Sequence, residues 1–583
     1  MAESWQSLST PTFSIGRMVL LTDGSIMACT YAGSDPRTRA WHRLIPGGRG
    51  GDYGNGTWVP VRSMSRRRHA YLLSAVVLKS AKLLVWGGPA LTVLEDFLPE
   101  IYDPFTDSWT DAGADVNPGA VSAFGASCVL ADGKVLLGSD DHFNSGGRGW
   151  AILFDPDSGR WAEMPNGDET VLGRCFTLLP DGSVLKTPRQ VQRYVPADGR
   201  WRFAVESPLP TAGTAGPAIL LPDRRVWVLA PRPSGNGPTP TYFYHPPSDS
   251  HPDRWEEAAR LPGELYLSAP PVHNNACLLS SGRVLLVLGN VLTPSGRPNQ
   301  VYEFDPAAQT ETPAGKFRVV ANPLTDPFDF GYMLMLPTGQ VLINGKSGLY
   351  IYTPDPDEPG NNPNDEWRPR IESINRTSTF PVILRVGSTN SLEGYQLNGL
   401  SQAHSAAECG MATNYPLIRL TYDSGRVVYL PTLNHSAMGV ATGSDVRQST
   451  TFEVPTHAPS GFATLCVITN GIESQRCVDV VIERGDIKAP ERAAGNILVG
   501  NLADGEYIIV GPGGVRPGPK PWESLIDPNL LKSVEESTRA LFHQFHALKR
   551  ESQVYSSKSE VKISHSWVLR ILLRFIGRVF FRR

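Results

Sequence analysis

Six side chains of the kind that bind anions or move protons stand at comparable places in the chain. Arg17, His69, Arg174, His273, Asp329 and Tyr332 lie at or just before the start of short apolar runs, with Asn275 beside His273, and His435 sits in a later loop. Gathered at one point, a guanidinium, imidazoles and a carboxylate could hold a carboxylate-bearing ligand or polarise a carbonyl. Taken singly, each is more ordinarily a solvated rim residue or the partner of a backbone group, so their meaning depends on whether the fold collects them. Other catalytic chemistry is not written in the chain, which has no Gly-rich phosphate loop, no HExxH, no CxxC pair and no GxSxG elbow. Arg66-Arg67-Arg68 is a short basic run that reads as a solvated strand end.

The elements that must position these residues repeat. An apolar run, a turn and a second apolar run recur seven times, around Asp23-Gly24, Lys79-Ser80-Ala81, Asp132-Gly133, Asp181-Gly182, Pro222-Asp223-Arg224, Ser281-Gly282-Arg283 and Pro337-Thr338-Gly339. Asp-Gly between apolar strands is a hairpin turn, because both residues accept the positive φ it demands. Each hairpin leads to an aromatic strand ending at a proline, then usually to a tryptophan. The phrase runs from Tyr102-Asp103-Pro104 to Trp109, Phe154-Asp155-Pro156 to Trp161, Tyr194-Val195-Pro196 to Trp201, Tyr244-His245-Pro246 to Trp255 and Tyr352-Thr353-Pro354 to Trp367. The copy at Phe304-Asp305-Pro306 lacks its Trp, and the first copy keeps only Trp58.

Four strands in each unit of roughly 50 residues predict an all-β fold, a seven-bladed kelch-type β-propeller over residues 1–367. Trp5-Gln6-Ser7-Leu8 reads as one more outer strand, able to close the ring on the last blade. Inner-strand starts face a propeller's axis, which makes the polar residues above candidates for a small-molecule or protein ligand in the channel. Beyond Trp367 the repeat stops. Alternating runs such as Val382-Ile383-Leu384-Arg385-Val386 and Thr464-Leu465-Cys466-Val467-Ile468 predict an immunoglobulin-like β-sandwich over 368–484. A Gly/Pro-rich linker over 485–528 and a helical tail over 529–583 complete the expected organisation.

Seven kelch blades leading into such a sandwich resemble the galactose oxidase and glyoxal oxidase family, over roughly residues 5–485. The resemblance implies oxidation of an alcohol or aldehyde by oxygen at a copper ion. In that family the metal is held by a tyrosine cross-linked to a cysteine, a Tyr-His pair opening the last blade, and a histidine on a sandwich loop that enters the channel. The matching places here carry Phe124, Leu72, Asp329-Phe330 and Leu433, the last within Pro431-Thr432-Leu433-Asn434-His435-Ser436-Ala437-Met438-Gly439. Copper needs several nitrogen or phenolate ligands converging on one point, so no metal, no cofactor and no copper-radical chemistry are expected. The phrases from Gln396 to Gln402, Ala412 to Leu417 and His435 to Gly443 resemble more closely a group of uncharacterised kelch-repeat proteins without the copper site.

The charge balance, 54 Lys and Arg against 57 Asp and Glu, gives no excess of positive charge for a phosphate backbone, which excludes nucleic acid as an expected partner. The start Met1-Ala2-Glu3-Ser4-Trp5-Gln6 has neither a basic nor an apolar leader region, so a cytoplasmic location is expected. Cys466 and Cys477 flank an Asn470-Gly471 turn and could face each other, with reduced thiols as the expected state there.

The last segment pairs Trp567 and Phe575 with Arg570, Arg574 and Arg578, an arginine at every fourth position. As a helix this gathers the guanidinium groups on one face, a pattern suited to a bilayer interface and too charged to span one. Two functions follow as expectations. One is a ligand-binding or scaffold propeller held peripherally on a membrane surface through residues 564–583. The other is a non-oxidase enzyme using the channel for acid–base isomerisation or cyclisation of a lipophilic small molecule.

Overall fold

The computed structural model describes residues 3–517 except 9–10, 71–72, 89–97, 114–125, 140–149, 165–174, 188–190, 210–216, 231–237, 263–274, 289–299, 309–312, 322, 324–331, 346–347, 403–411, 444, 485–496, 503–505 and 512–513. Described residues form strands, turns and one short 3-10 segment, Asp365–Trp367, and among them no helix is long and apolar enough to cross a membrane. The helical tail expected over 529–583 lies outside them. The chain divides into two compact units, Met1–Thr456 with Ala463–Val480, and His457–Phe462 with Val481–Arg583.

In the first unit, each of the seven repeated hairpins becomes the inner half of a four-stranded antiparallel sheet. The first sheet is Ser14–Leu20, Ile26–Tyr31, Trp41–Ile45 and Thr57–Val61, and the second is Leu73–Val77, Leu83–Gly87, Glu100–Asp103 and Ser108–Asp111. The next five open with inner strands Ser127–Val129, Cys175–Leu178, Ala218–Leu220, Asn275–Leu278 and Tyr332–Met335. All seven turns close alike: a leucine N–H (Leu21, Leu78, Leu130, Leu179, Leu221, Leu279, Leu336) donates to the carbonyl four residues on at 2.8 Å. The Asp of four turns (Asp23, Asp132, Asp181, Asp223) also accepts the backbone N–H two residues on, which is why Asp leads them.

The aromatic phrase becomes a cross-strand pair between the two outer strands. Tyr102 lies 5.0 Å from Trp109, Phe154 4.2 Å from Trp161, Tyr194 5.4 Å from Trp201 and Tyr244 5.1 Å from Trp255, measured between ring centroids. Such pairs add about 0.5–1.5 kcal/mol beyond the area they bury. In the sixth sheet Phe317 takes the place of the missing tryptophan, opposite Phe304 at 4.7 Å. In the seventh, the partner of Tyr352 is not Trp367 but Trp5, at 5.0 Å. That sheet is Gly348–Thr353, Val341–Gly345 and Tyr332–Met335 with Ser4–Ser7 as its outer strand, in the register Ser4↔Thr353 to Ser7↔Tyr350. The expected closure is therefore met, and Trp367 instead packs against Gly282, where an added Cβ would lie 2.8 Å from its ring.

Inner strands of successive sheets run side by side from the first to the fifth, and from the sixth through the seventh back to the first. Trp227 and Phe304, stacked at 5.2 Å, join the fifth sheet to the sixth. Every sheet thus has two neighbours, a β-propeller arrangement with apolar clusters between the sheets.

Two further sheets follow. One orders Arg370–Ile374, Thr389–Tyr395, Arg447–Glu453 and Thr432–Leu433, and its long strands alternate buried and half-exposed positions as a one-sided sheet must. The other orders Val382–Arg385, Val478–Glu483, Gly461–Thr469, Leu417–Tyr422 and Val427–Leu430. In the second unit, Ile497–Leu502, Glu506–Gly511 and Gly514–Pro517 form a three-stranded sheet inside the stretch read as a linker. Gly511 and Gly514, two of the glycines that suggested a linker, are paired with each other across strands, and sequence alone cannot separate such turns from free chain.

Asn470 and Gly471 both take positive φ, 51° and 71°, and turn the chain as expected. The sulfurs of Cys466 and Cys477 are joined, which corrects the expectation of reduced thiols. Ser474 causes the approach: its N–H donates to Val467 O at 2.8 Å and its hydroxyl accepts from Val467 N at 3.2 Å, so the returning chain is laid against the Cys466 strand.

Candidate functional site

Arg17 owes its position to a bulge. The register of the first hairpin shifts between Ile15 and Met18, and Gly16 in between comes so close to Ala70 that an added Cβ would lie 2.4 Å from its carbonyl oxygen. The bulge re-aims the Arg17 side chain. Its Nη2 and Nε donate to Leu73 O at 2.7 and 3.0 Å, its backbone N–H to Ala70 O at 3.0 Å, and its guanidinium lies 5.4 Å from the centroid of the Tyr332 ring. The Ile15 carbonyl accepts from Asn344 Nδ2 at 2.7 Å. Arg17 and Tyr332, both buried, are therefore brought together as a tie across the starts of three inner strands, the seventh, first and second.

His69 belongs to a two-stranded ladder, Arg37–Thr38 with Arg68–His69, between the first and second sheets. Its backbone N–H donates to Gly88 O at 2.7 Å, and partial burial lowers its imidazolium pKa. Arg174, His273 and Asp329 lie outside the described residues, as do Leu72, Phe124 and Phe330. Leu433 is half-buried and pairs with Thr451.

His435 stands elsewhere. Its backbone N–H donates to Lys79 O at 3.3 Å, in the turn of the second hairpin, whereas Arg17 grips Leu73 at the start of the same hairpin. Six residues of strand separate those two carbonyls, roughly 20 Å at ~3.3 Å per residue. The loop around His435, with Tyr415 beside it, rests on the turn end of the first three hairpins: Thr432 N–H donates to Thr22 O, Met438 N–H to Ala131 O, and the Tyr415 hydroxyl to Leu20 O. His435 is fully buried, its ring parallel to that of Tyr415 at 6.5 Å. The Thr450 hydroxyl donates to the carbonyl of Leu433 or Thr451 and so accepts the Nδ1 proton of His435 at 2.9 Å. Nε2 is then the bare nitrogen, without a hydrogen-bond partner among the described residues. Burial, helped by Lys79, holds the imidazolium pKa down to about 3, so the ring is neutral at physiological pH and a weak base.

This geometry does not fit a copper centre among the described residues, since Tyr332 and His435, the phenol and imidazole within one residue or two of the family's ligand places, act at opposite ends of the inner strands and do not converge.

Two polar constellations were not legible as such. Arg68 of the basic run is fully buried and pairs with fully buried Glu100 at 3.2 Å, while Arg66 reaches Glu100 and Asp111 and exposed Arg67 reaches Asp35. Lys186 is fully buried too, with Nζ 3.2 Å from Gln192 Oε1, and burial lowers its ammonium pKa to about 8. The signal for Lys186 was present: the equivalent place in the other six hairpins carries Ala28, Val85, Leu137, Val228, Leu286 or Ile343.

No protein-family model matches the chain, and no curated protein is significantly similar to it. Among solved structures, the chain is similar to a fungal alcohol oxidase of the AA5 family in complex with copper, at 11% identity and TM-score 0.49, over 82% of this chain and 100% of that one. It is also similar to a streptogramin B lyase at 10% identity and TM-score 0.40, over 60% of this chain and 98% of that one. A calcium-binding regucalcin from Agrobacterium tumefaciens matches at 14% identity and TM-score 0.29, over 50% and 89%. Likeness at these levels carries no residue role or activity to this chain.

Proposed function

We propose that this protein is a galactose-oxidase-like, seven-bladed kelch propeller with an immunoglobulin-type sandwich, acting as a ligand-binding or scaffold protein at a membrane surface and not as a copper-radical oxidase. The observation that carries the reading is the use made of the polar channel candidates. Arg17 bridges inner strands through Leu73 O and the Tyr332 ring, and His435 is neutral, buried and turned onto Thr450 roughly 20 Å along the strand. Side chains employed in this way tie the ring together rather than converge on a reacting centre. Purified protein supplied with copper and oxygen is expected to form no tyrosine–cysteine thioether and to release no hydrogen peroxide from primary alcohols or aldehydes. Peroxide in proportion to bound copper would refute the reading.

Attachment to the membrane rests on the sequence of the tail. Trp567 and Phe575 supply apolar area, and Arg570, Arg574 and Arg578 supply charge worth about 1 kcal/mol each near anionic lipid. Removing residues 564–583 is expected to move the protein from the vesicle-bound to the free fraction in sedimentation with anionic vesicles. Replacing Arg570, Arg574 and Arg578 by Glu should weaken binding to anionic vesicles far more than to neutral ones, and raised salt should reproduce part of that loss. Equal sedimentation of the truncated and full-length proteins would rule out the anchor.

A further inference from the structure

The Cys466–Cys477 pair carries chemistry that neither the channel nor the tail uses. Glu473 places Oε1 3.1 Å from Cys477 Sγ and 3.6 Å from Cys466 Sγ, and no two of the three ligand atoms are more than 4.8 Å apart. Arg419 pairs with the same carboxylate and orients it, and Ser474, by fixing the return of the chain, fixes the spacing. Cys466 is buried, while Cys477 and Glu473 are half-exposed, so the group opens to solvent on one side.

We propose that, once a dithiol reductant has opened this disulfide, Cys466, Cys477 and Glu473 bind one zinc-class divalent cation, with water in the fourth position. The exchange balances: the reductant's two thiols become its disulfide, Cys466 and Cys477 each gain a hydrogen, and both protons leave when the thiolates take the metal. Zn–S distances near 2.3 Å and Zn–O distances near 2.0–2.2 Å set tetrahedral ligand atoms roughly 3.5–3.8 Å apart. The sulfur–carboxylate spacings are already close to that, so only the two sulfurs must separate, by side-chain rotation at the mouth of the hairpin. Two thiolates and one carboxylate suit zinc rather than calcium or magnesium, which take oxygen ligands. Oxidised, the site has no thiolate to offer, so metal binding is gated by the thiol–disulfide balance of the surroundings.

The test uses the full chain with Co2+ as the spectroscopic probe and Zn2+ as competitor, before and after reduction by a phosphine that is then removed without air. Reduced protein is expected to bind one Co2+ with a thiolate-to-cobalt charge-transfer band that Zn2+ abolishes, and untreated protein is expected to show none. Cys477→Ser should lose the band, and Glu473→Gln, which keeps both sulfurs and the disulfide, should weaken binding at least tenfold. Unchanged far-ultraviolet dichroism confirms that the variants are folded. The proposal is overturned if reduced protein and Cys477→Ser bind Co2+ alike, if Glu473→Gln binds as tightly as the unaltered chain, or if the thiols become reducible only in denaturant.

Discussion

Replacing Glu100 by alanine is expected to lower the stability of the first unit by about 3–5 kcal/mol, the usual cost of leaving one member of a buried ion pair without the other. Glu100 Oε1 accepts from Ser65 N at 2.7 Å and Oε2 from Arg66 N at 3.3 Å, and the same carboxylate faces Arg68. Arg68 also donates to Gly87 O at 2.9 Å and to Leu98 O, so its guanidinium is held in the interior whether or not the carboxylate is there. Glu100→Gln keeps an acceptor but not the charge and should cost less. A double variant, Arg68→Met with Glu100→Leu, removes both charges and should recover much of the loss. Denaturant midpoints measure all three. A Glu100→Ala protein within about 1 kcal/mol of the unaltered chain would show that the pair holds nothing together.

Acid should unlock the turn end of the ring through His435. Its imidazolium pKa is about 3 in the folded chain against 6.5 for the free side chain, so below pH 6.5 the unfolded chain takes up a proton that the folded chain refuses. Stability from this group is complete above about pH 6.5 and is lost as pH falls toward 3, at up to ~1.4 kcal/mol per pH unit. Between pH 7 and 5 the unaltered protein should therefore lose about 2 kcal/mol more than His435→Gln, which cannot titrate. Parallel stability–pH curves for the two proteins would mean that the imidazole is already exposed to water. If His435 accounts for the slope, replacing Thr450 by valine should alter it as well, because that hydroxyl fixes the Nδ1 proton.

The repeating framework was legible because it is local. An Asp-Gly turn between apolar runs, and an aromatic followed within about a dozen residues by a tryptophan, each declare their partner inside one sheet, and Tyr102 with Trp109 or Tyr194 with Trp201 lie where the phrase put them. The strand at Trp5 was legible as the closing strand of the last blade, but the phrase still gave Tyr352 to Trp367, because a local pattern cannot weigh a nearby tryptophan against one from the far end of the ring. A separation of 32 residues was enough to hide Arg68, whose run of three arginines looks solvated until Glu100 is placed beside it. Inner-strand starts did locate Arg17 and Tyr332 together, while His435 was displaced along the axis because its loop rests on turns rather than on strand starts. Cysteine spacing suggested the contact of Cys466 with Cys477, but the state of the sulfurs depended on Ser474, a hydrogen bond no spacing rule contains.

The outer strand Ser4–Ser7 is synthesised well before its mate, Gly348–Thr353, which is the last strand of the ring. At roughly 5–20 residues per second, translation takes about 20–70 s to span that interval. For all of it the opening residues have no partner, and the six earlier sheets stand as an arc with two bare flanks, each offering inner-strand surface that the finished ring covers. The nascent chain is thus most exposed to misassociation just before Gly348–Thr353 emerges, and a tether that keeps Ser4–Ser7 from reaching Thr353 would leave the ring in that open state.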